Sequence, residues 1–413
     1  MLIMNELPEG WVWRKLGEVC KAITGTTPPK DNLDNYGTYI PFVKPPQLFD
    51  KPINDAPEKL SKKGATLARI LPAHSVLVTC IGNLGRTAIN NIPVAFNQQI
   101  NALVPPPNLD GKFLFYQAQS PVFKNQLENL SSATTVAIVN KGKFETIQIA
   151  LPPLPVQHAI VTKIEEIFSE LDHGVEQLKT ARQQLKVYRQ AVLKWAFEGR
   201  LTNEGVKDGE LPEGWKWVKI EEIASVGTGA TPLKNKKEYY ENGKIAWVTS
   251  GALNDDFVNK ATEFVTEKAL KETNLSVYPK GTLLLAMYGE GKTRGKCSEL
   301  QIEACTNQAI AAIYFEKHEA RVKPFLKYFL HKNYGDIRKM SSGGVQPNLN
   351  LGIVKKTVFP FPPIEEQHLI VSEIERRLSV CDKLEETIAG SLKAAEVLRA
   401  GVLKRAFEGR LVG

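Results

Sequence analysis

The chain repeats itself, and this repeat constrains the fold more than any other feature. Residues 7–13 (LPEGWVW) return as residues 211–217 (LPEGWKW), and residues 196–201 (AFEGRL) return as residues 406–411. The period of roughly 200 residues is far longer than the repeats of solenoids and propellers. A chain of 413 residues therefore holds two copies of one long module, each of which opens on a Trp-x-Trp element and closes on a helix end.

The offset between the copies shows where the modules differ. It is 211 minus 7, or 204 residues, at the Leu-Pro-Glu-Gly openings, and 307 minus 97, or 210 residues, at two Asn-Gln pairs. It then stays at 210 residues up to the AFEGRL ends. Insertions and deletions therefore fall in the first part of each module, which we call the body, while the last part aligns without a gap.

Composition predicts a cytoplasmic protein with two full cores. Each body is of ordinary domain size. The five cysteines include no Cys-x-x-Cys pair, so neither a disulfide framework nor a zinc site is predicted. No run approaches 18 apolar residues and the N-terminus lacks a signal-peptide pattern, so we expect no membrane span.

The net charge of +8 is concentrated in the bodies. Lys and Arg exceed Asp and Glu by 4 in residues 1–150 and by 4 in residues 203–360, while the two other segments are close to neutral. Such a surplus is either ordinary solvated surface or the sign of a protein that grips a polyanion at two places.

Each module ends in a long predicted helix. Apolar residues recur in steps of four and three from Ile160 to Trp195, which is a heptad seam, and a weaker stripe follows 210 residues later. Each helix is expected to run about 40 residues, or about 60 Å, after a Pro-Pro pair. We predict an antiparallel pair whose second helix returns to the start of the first body. The residues predicted to pack in the seam are Ile164, Leu171, Leu178 and Leu185 against Ile374, Leu384, Ile388 and Leu398.

The bodies have the pattern of mixed α/β domains. Residues 75–81 and 282–288 predict buried strands between a Pro-containing turn and a Gly-rich loop, and residues 40–43 and 245–248 predict a second pair. We expect an α/β (α+β) fold with two pseudo-repeated bodies, twisted or barrel-like sheets and two long antiparallel coiled-coil helices. The predicted division is 1–153 for the first body, 154–202 for the first helix, 203–363 for the second body and 364–413 for the second helix.

The loops after the two buried strands carry cationic side chains. Residues 82–87 (GNLGRT) and 289–296 (GEGKTRGK) place Arg86, Lys292 and Arg294 beside flexible backbone, which suits contacts with phosphate or guanine. The second loop also imitates a nucleotide-binding P-loop, with GKT after an apolar strand. No strong helix follows it, no strand ending in Asp offers a magnesium ligand, and the twin loop lacks the lysine, so an ATP site is disfavoured.

Polar clusters occur in both copies at residues 97–99 (NQQ) and 307–308 (NQ). Asn and Gln amides can read adenine. Bodies that read different sequences should, however, differ where they read. A structural amide bonded to loop backbone is therefore the favoured interpretation.

The order of these motifs resembles that of a known family. An LPxGW opening, a GxTP turn, an NQxI segment and a PPxxxQH entry into a long helix that ends in FEGRL all occur twice. This arrangement is similar to the specificity subunits of type I restriction-modification systems. The likeness covers essentially the whole chain, and the order and duplication of the motifs carry it.

The resemblance implies a role for each part of the chain. The bodies would be target recognition domains, each binding one half of a split site on double-stranded DNA. The helices would form a spacer that sets the half-site separation and docks two methyltransferase subunits, which motor-nuclease subunits join. The predicted DNA-binding residues are Lys30, Lys44, Gln47, Asn83, Arg86, Lys234, Lys236, Lys237, Lys292, Arg294 and Lys296.

The resemblance implies no catalysis by this chain. In agreement, the sequence has no Asn-Pro-Pro-Tyr or Asp-Pro-Pro-Tyr base-methylating motif. S-adenosylmethionine, ATP and magnesium are expected on partner subunits, with no cofactor or metal on this chain. Two other classes stay open: an ATP-using enzyme built on Lys292, which would bind nucleotide in isolation, and a coiled-coil protein adaptor, which would have no affinity for DNA even when assembled.

Overall fold

The computed structural model describes residues 7–131, 136–203, 205–207, 209–288, 293–316, 320–340 and 349–412. Contacts divide the chain into two units, Met1–Thr180 with Ile388–Gly413, and Ala181–Thr387. Each unit therefore holds one body together with half of each long helix. The divisions fall inside the helices because the helical halves share apolar cores with the bodies.

The first body is built from short strands and short helices. Its strands are β1 (Val12–Lys15), β2 (Lys21–Thr24), β3 (Tyr36–Val43), β4 (Lys51–Ile53), β5 (Lys59–Leu60), β6 (Ile70–Leu71), β7 (Val76–Thr79), β8 (Thr87–Asn90), β9 (Val94–Phe96), β10 (Ile100–Val104) and β11 (Gln148–Leu151). Its helices are α1 (Leu16–Val19), α2 (Lys62–Leu67), α3 (Gly111–Gln119), α4 (Pro121–Asn129) and α5 (Lys141–Glu145), and the long helix α6 (Leu154–Phe197) follows.

These strands form two main sheets and one isolated pair. The five-stranded sheet has the order β2-β10-β7-β8-β4, the four-stranded sheet has the order β5-β3-β9-β6, and β1 pairs with β11. Both faces of the five-stranded sheet are covered: Val76 and Val78 of β7 lie in one apolar core, and Leu77 lies in another. Because both faces are buried, this strand is a continuous apolar run and does not alternate with polar residues.

The second body repeats this architecture. Its strands are β12 (Lys216–Lys219), β13 (Ser225–Thr228), β14 (Ile245–Val248), β15 (Phe257–Val258), β16 (Glu263–Val265), β17 (Leu283–Ala286), β18 (Cys297–Leu300), β19 (Cys305–Thr306), β20 (Ile310–Tyr314) and β21 (Val358–Phe361). Its helices are α7 (Glu267–Glu272), α8 (Lys323–Met340) and α9 (Leu351–Lys356), and the long helix α10 (Ile364–Phe407) follows. The sheet orders are β13-β20-β17-β18-β15 and β16-β14-β19, with β12 paired to β21. The predicted mixed α/β bodies and both predicted strand pairs are confirmed.

The two long helices have the same length and the same start. Each has 44 residues, which corresponds to about 66 Å. A buried glutamine in the first turn, Gln157 or Gln367, donates from Nε2 to the carbonyl oxygen of Pro152 or Pro362, at 2.9 and 2.8 Å. This hydrogen bond ties each helix to the strand that precedes it.

In the first unit the helical halves run antiparallel. Asp172 of α6 forms an ion pair with Arg399 of α10, whose guanidinium carbon lies 4.0 Å from the centre of the Phe168 ring. Nearer the start of α6, Ile164 shares a core with Phe407 near the end of α10. Residue numbers therefore decrease along α6 as they increase along α10, which is the arrangement of antiparallel helices.

The second unit shows the same arrangement. Arg189 of α6 contacts Asp382 of α10 at 2.5 Å and Glu385 at 3.3 Å. Nearer the end of α6, Ala196 shares a core with Ile374, which lies near the start of α10. The predicted antiparallel pairing therefore holds within each unit.

The eight residues predicted to pack in the seam differ in burial. Six of the eight predicted residues are buried or half-buried, namely Ile164, Leu171, Leu178, Leu185, Ile374 and Ile388. The other two, Leu384 and Leu398, are 48% and 54% exposed, so their assignment to the seam is wrong. The next residue in each case, Glu385 or Arg399, is half-buried and forms an ion pair with α6. At these two places the residue that faces α6 is therefore one position later than predicted.

The end of each long helix contacts the start of a body. Gly199 and Gly409 have positive φ angles of 76° and 71°, as glycines that terminate helices commonly do. A β-carbon at Gly199 would collide with the ring of Pro212, and one at Gly409 would collide with the ring of Pro8. The predicted return of the second helix to the start of the first body is therefore confirmed.

The cysteines are core residues. All five are buried and free of disulfide bonds, and burial raises the pKa of the Cys20 and Cys80 thiols to about 12. Among the described helices, none is long and apolar enough to cross a membrane. The described residues also contain no group of three or more His, Cys, Asp or Glu side chains that could hold a metal ion.

Candidate nucleic-acid interface

In each body, the loops that carry the predicted DNA-binding residues meet at one end of the five-stranded sheet. In the first body, Thr24 at the end of β2 pairs with Asn101, and Thr79 at the end of β7 pairs with Ile100. The loop after β2, the β7–β8 hairpin and the β9–β10 turn therefore emerge side by side. The second body repeats this pattern with β13, β17 and β20. We call this end of each body its loop end.

A glycine lets two loops approach closely at each loop end. A β-carbon at Gly25 would lie closer than 3.0 Å to the carbonyl oxygen of Asn97, and one at Gly229 would lie closer than 3.0 Å to that of Thr306. Neither glycine has a positive φ angle, so the requirement is for space alone. The glycine of the repeated Thr-Gly-x-Thr-Pro segment therefore allows a close contact with the backbone of the neighbouring loop.

The repeated amides hold this contact in place. Asn97 Oδ1 accepts from the backbone N–H of Gln99, and Asn307 Oδ1 accepts from that of Ala309, both at 3.2 Å. In the same turns, Gln98 Oε1 accepts from the Thr27 hydroxyl and Gln308 Oε1 accepts from the Thr231 hydroxyl. The interpretation of these amides as structural is confirmed.

Two tyrosines that the sequence analysis did not identify also hold these loops. We call the close glycine approach, the amide turns and these tyrosine hydrogen bonds the loop frame of each body. The Tyr36 hydroxyl donates to the carbonyl oxygen of Pro28 at 2.9 Å, and the Tyr240 hydroxyl donates to that of Pro232 at 2.6 Å. Burial, followed by nearby carboxylates, raises the pKa of both phenols, so both remain donors. The available signal was the equal spacing of eight residues between tyrosine and proline in the two copies.

Lys30 and Lys234 lie on the loops that this frame holds. Each comes three residues after the threonine of the repeated Thr-Pro pair. Both side chains are exposed, and neither has a partner in the described ranges. The placement of these two predicted residues suits binding of a polyanion.

The two strand hairpins differ in length but match at their C-terminal ends. Gly85 and Gly295 have positive φ angles of 77° and 82°, and the residue after each, Arg86 or Lys296, accepts a backbone hydrogen bond at 2.9 Å from the end of the preceding strand. Arg86 is exposed without a described partner, whereas Lys296 Nζ donates to Asn254 Oδ1 at 3.0 Å. Equivalent cations thus have different surroundings in the two bodies.

Asn83 lies at the tip of the first hairpin. Its side chain is exposed, and its backbone carbonyl oxygen accepts from the Thr79 hydroxyl at 2.5 Å. This hydrogen bond fixes the hairpin and leaves the amide side chain available at the loop end.

Arg294 lies in different surroundings from the other predicted cations. It immediately precedes Gly295, so its counterpart in the first body is Leu84, which packs against the apolar core. Arg294 likewise points inward, into a cavity of about 810 Å³ whose lining includes Phe329 and Leu349. Its Nη1 is buried and has no partner among the described residues. The role of Arg294 in binding DNA stays a prediction.

The P-loop alternative is at odds with the topology. A P-loop joins a strand to a helix, whereas here the strand β17 is followed by the antiparallel strand β18, with Leu285 paired to Cys297. Lys292 itself lies outside the described residues. Its role in binding DNA or nucleotide stays a prediction.

The four remaining candidates have partners within the protein. Lys44 forms an ion pair with Glu58, and its backbone N–H donates to Gln47 Oε1 at 2.9 Å. Lys236 Nζ lies 3.0 Å from the Tyr239 hydroxyl, a hydrogen bond that raises the pKa of the lysine, and Lys237 lies 3.7 Å from Glu241. These side chains are at or beside the loop ends but would have to exchange a contact to bind DNA.

Comparison with known proteins identifies relatives over the whole chain. The family described as type I restriction modification DNA specificity domain matches residues 8–185 and 212–394. The StySPI specificity subunit of Salmonella potsdam is 23% identical and covers 98% of this chain and 90% of its own length. The EcoKI specificity subunit of Escherichia coli is 24% identical with the same coverages, and the MjaIX specificity subunit of Methanocaldococcus jannaschii is 21% identical and covers 95% of both chains.

Solved structures share the fold. A chain from a study of complex assembly and conformational transition of the type I R-M system has a TM-score of 0.76 at 20% identity and covers 98% of this chain and 100% of its own. The HsdS subunit of Thermoanaerobacter tengcongensis has a TM-score of 0.62 at 20% identity, with 98% of both chains covered.

Proposed function

Because the chain belongs to the family of type I restriction modification DNA specificity domains, we propose that its two bodies each bind one half of a bipartite site on double-stranded DNA. The observation that carries this proposal is a loop frame that is the same twice but carries different side chains. Gln47 of the first body is matched by Ala252 of the second, since both end a short helical turn after equivalent strands. A common frame with different loop chemistry is what reading two different sequences requires.

The long helices are proposed to act as the spacer and as the docking surface for two methyltransferase subunits. Support comes from apolar side chains that face solvent on both helical halves of α10. Leu369 and Val380 in the second unit are 62% and 51% exposed, and Val397 and Leu398 in the first unit are 67% and 54% exposed. These exposed side chains are available to pack against a partner protein on each helical half of α10.

The chain itself is proposed to be non-catalytic. S-adenosylmethionine, ATP and magnesium would be bound by the methyltransferase subunits and by the motor-nuclease subunits that join them. The chain alone should neither methylate DNA nor hydrolyse ATP. Activity that survives purification and vanishes in Lys292→Ala would contradict this part of the proposal.

An exchange of bodies tests the function most directly. Residues 1–150 are replaced by the corresponding body of the StySPI subunit, and methylated adenines are mapped by sequencing after assembly with the methyltransferase. One half-site should change and the other should stay the same, because each body carries its own frame and loops. Loss of both half-sites in an active complex would show that the bodies read jointly.

A matched insertion tests the spacer. Seven residues, a full heptad, are added to both helices at 180/181 and 387/388, the points where contacts divide the units. Each helix grows by about 10 Å, which corresponds to about three base pairs of duplex. The half-sites should be unchanged and their spacing longer. An active complex that keeps the original spacing would show that the helices do not set it.

A further inference from the structure

We propose that Lys30 and Lys234 are equivalent phosphate contacts that anchor the two bodies to the DNA backbone and read no base. The inference rests on the function proposed above and assigns one shared role within it. It separates the residues that hold each body on the duplex from those that distinguish the half-sites.

The frame presents the two lysines from the same point. The Thr27 and Thr231 hydroxyls are held by the glutamine amides of the neighbouring turn. The carbonyl oxygens of Pro28 and Pro232 are held by tyrosine hydroxyls. Each lysine follows its held proline by two residues. The start of each loop is therefore fixed in the same way, which lowers the conformational entropy lost when the lysine binds.

Both lysines carry a free charge. Their side chains are exposed, and neither has a partner within the described part of the chain. Nearby lysines differ in this respect: Lys63 lies 3.1 Å from Asp34, and Lys236 lies 3.0 Å from the Tyr239 hydroxyl. Lys30 and Lys234 can bind an anion without giving up an internal contact.

Identity in both bodies favours phosphate over bases. Two bodies that read different half-sites should differ at the positions that read, as Gln47 differs from Ala252. The phosphates are the same along any duplex, so one side chain serves both bodies. Arg86 and Lys296 share a charge but not a hydrogen-bonding geometry, and Lys296 is already bonded to Asn254, so this argument does not extend to them.

The test compares lysine-to-glutamine variants in the assembled methyltransferase complex. Lys30→Gln, Lys234→Gln and the double variant are measured by fluorescence anisotropy on a duplex with the mapped site and on a scrambled duplex. Lys21→Gln is the control because Lys21 is exposed at the opposite end of β2 from the loop. The salt concentration is varied between about 50 and 200 mM, where counterion release dominates the slope.

Each single variant should weaken binding roughly fivefold on both duplexes and lower the slope of log Kd against log salt by about 0.9, and the double variant should lower it by about 1.8. The methylated sequence and the control's slope should not change. A loss confined to the mapped-site duplex, with altered methylated bases, would show base reading and overturn the proposal. An unchanged slope would also overturn it. Failure of the wild-type complex to methylate a bipartite site would instead contradict the proposed function.

Discussion

The two bodies share a loop frame but differ in charge at two equivalent positions behind the loops. In the first body, Ile89 of β8 lies in the apolar core. At the equivalent place in the second body, Glu299 of β18 binds Lys323 at 2.7 Å and Lys327 at 3.3 Å. Leu84 is likewise replaced by Arg294, whose Nη1 is buried. Duplication has preserved backbone contacts and left side chains behind the loops free to diverge.

This difference shows which contacts the fold requires. The glycine approach, the amide turns and the tyrosine hydrogen bonds occur in both bodies, whereas an apolar residue and a charged cluster are interchangeable on the sheet. Contacts present in both copies should therefore be costly to remove in either unit. Removing a contact that is present in one copy should change the stability of that unit only. Urea unfolding followed by hydrogen-exchange mass spectrometry resolves the two units and tests each statement.

The largest effect is expected at the paired glycines. Gly25→Ala should destabilise the first unit and Gly229→Ala the second, each by about 3 kcal/mol, because a β-carbon would overlap a carbonyl oxygen. Gly174→Ala is the control, since its β-carbon would meet no atom within 4 Å, and it should stabilise α6 by about 0.5–1 kcal/mol. If only one of the two loop substitutions destabilises its unit, the two loop frames are not equivalent.

A smaller, pH-dependent effect is expected at Glu299. Burial raises the pKa of this carboxyl group, but the hydrogen bonds and charges of Lys323 and Lys327 outweigh it, so the pKa is lowered overall. A lowered carboxyl pKa means that the stabilisation is present above about pH 4.3 and is lost as the pH falls through the folded-state value. Glu299→Gln should destabilise the second unit by about 2 kcal/mol at neutral pH, and the gap from wild type should close in acid. Glu221→Gln, at an exposed carboxylate of the same unit, should show neither effect.

A still smaller difference is expected between the two helix-start glutamines. Gln157 Oε1 accepts from the backbone N–H of Asp110 at 2.9 Å, whereas Gln367 Oε1 is buried and has no partner among the described residues. Gln157→Leu should therefore destabilise its unit by about 1 kcal/mol more than Gln367→Leu destabilises the other. Equal losses would mean that the bond to Asp110 contributes nothing.

The smallest effect is expected at Arg294. Arg294→Leu restores the residue type of the first body and removes a guanidinium nitrogen that is buried without a described partner. The second unit should be unchanged or stabilised by up to about 1 kcal/mol. DNA affinity of the assembled complex should not change. A clear loss of affinity would show that this side chain turns to the DNA after all.

The sequence predicts the architecture well because duplication tests each pattern twice. The strands around Val76 and Leu283, the long helices and the structural amides are each supported by two copies. The seam phase could not be predicted in the same way. Ile167 and Phe168 are both apolar, and a period near 3.5 accepts either one. The packing partner decides, and in the structure Phe168 is buried.

The side chains of the hairpins were harder to predict for a different reason. The offset between copies changes within the bodies, so the sequence does not say which residue of GEGKTRGK matches Arg86. Backbone hydrogen bonds from Thr79 and Ala286 identify it as Lys296. Arg294 then falls on the inner side. Tyr36 and Tyr240 were missed because their signal, the equal spacing of eight residues from a proline, is visible only when the two copies are compared.

The composition of the first unit has a consequence for synthesis on the ribosome. That unit is discontinuous, since it needs Ile388–Gly413 as well as Met1–Thr180, whereas the second unit is one continuous stretch. Phe113 packs edge-to-face on Phe407 with ring centres 5.3 Å apart. At roughly 10 residues per second, residue 388 emerges about 20 s after residue 180. The unit that is translated first is therefore completed last, and its nascent helix keeps Ile164 and Phe168 uncovered by their α10 neighbours during that interval.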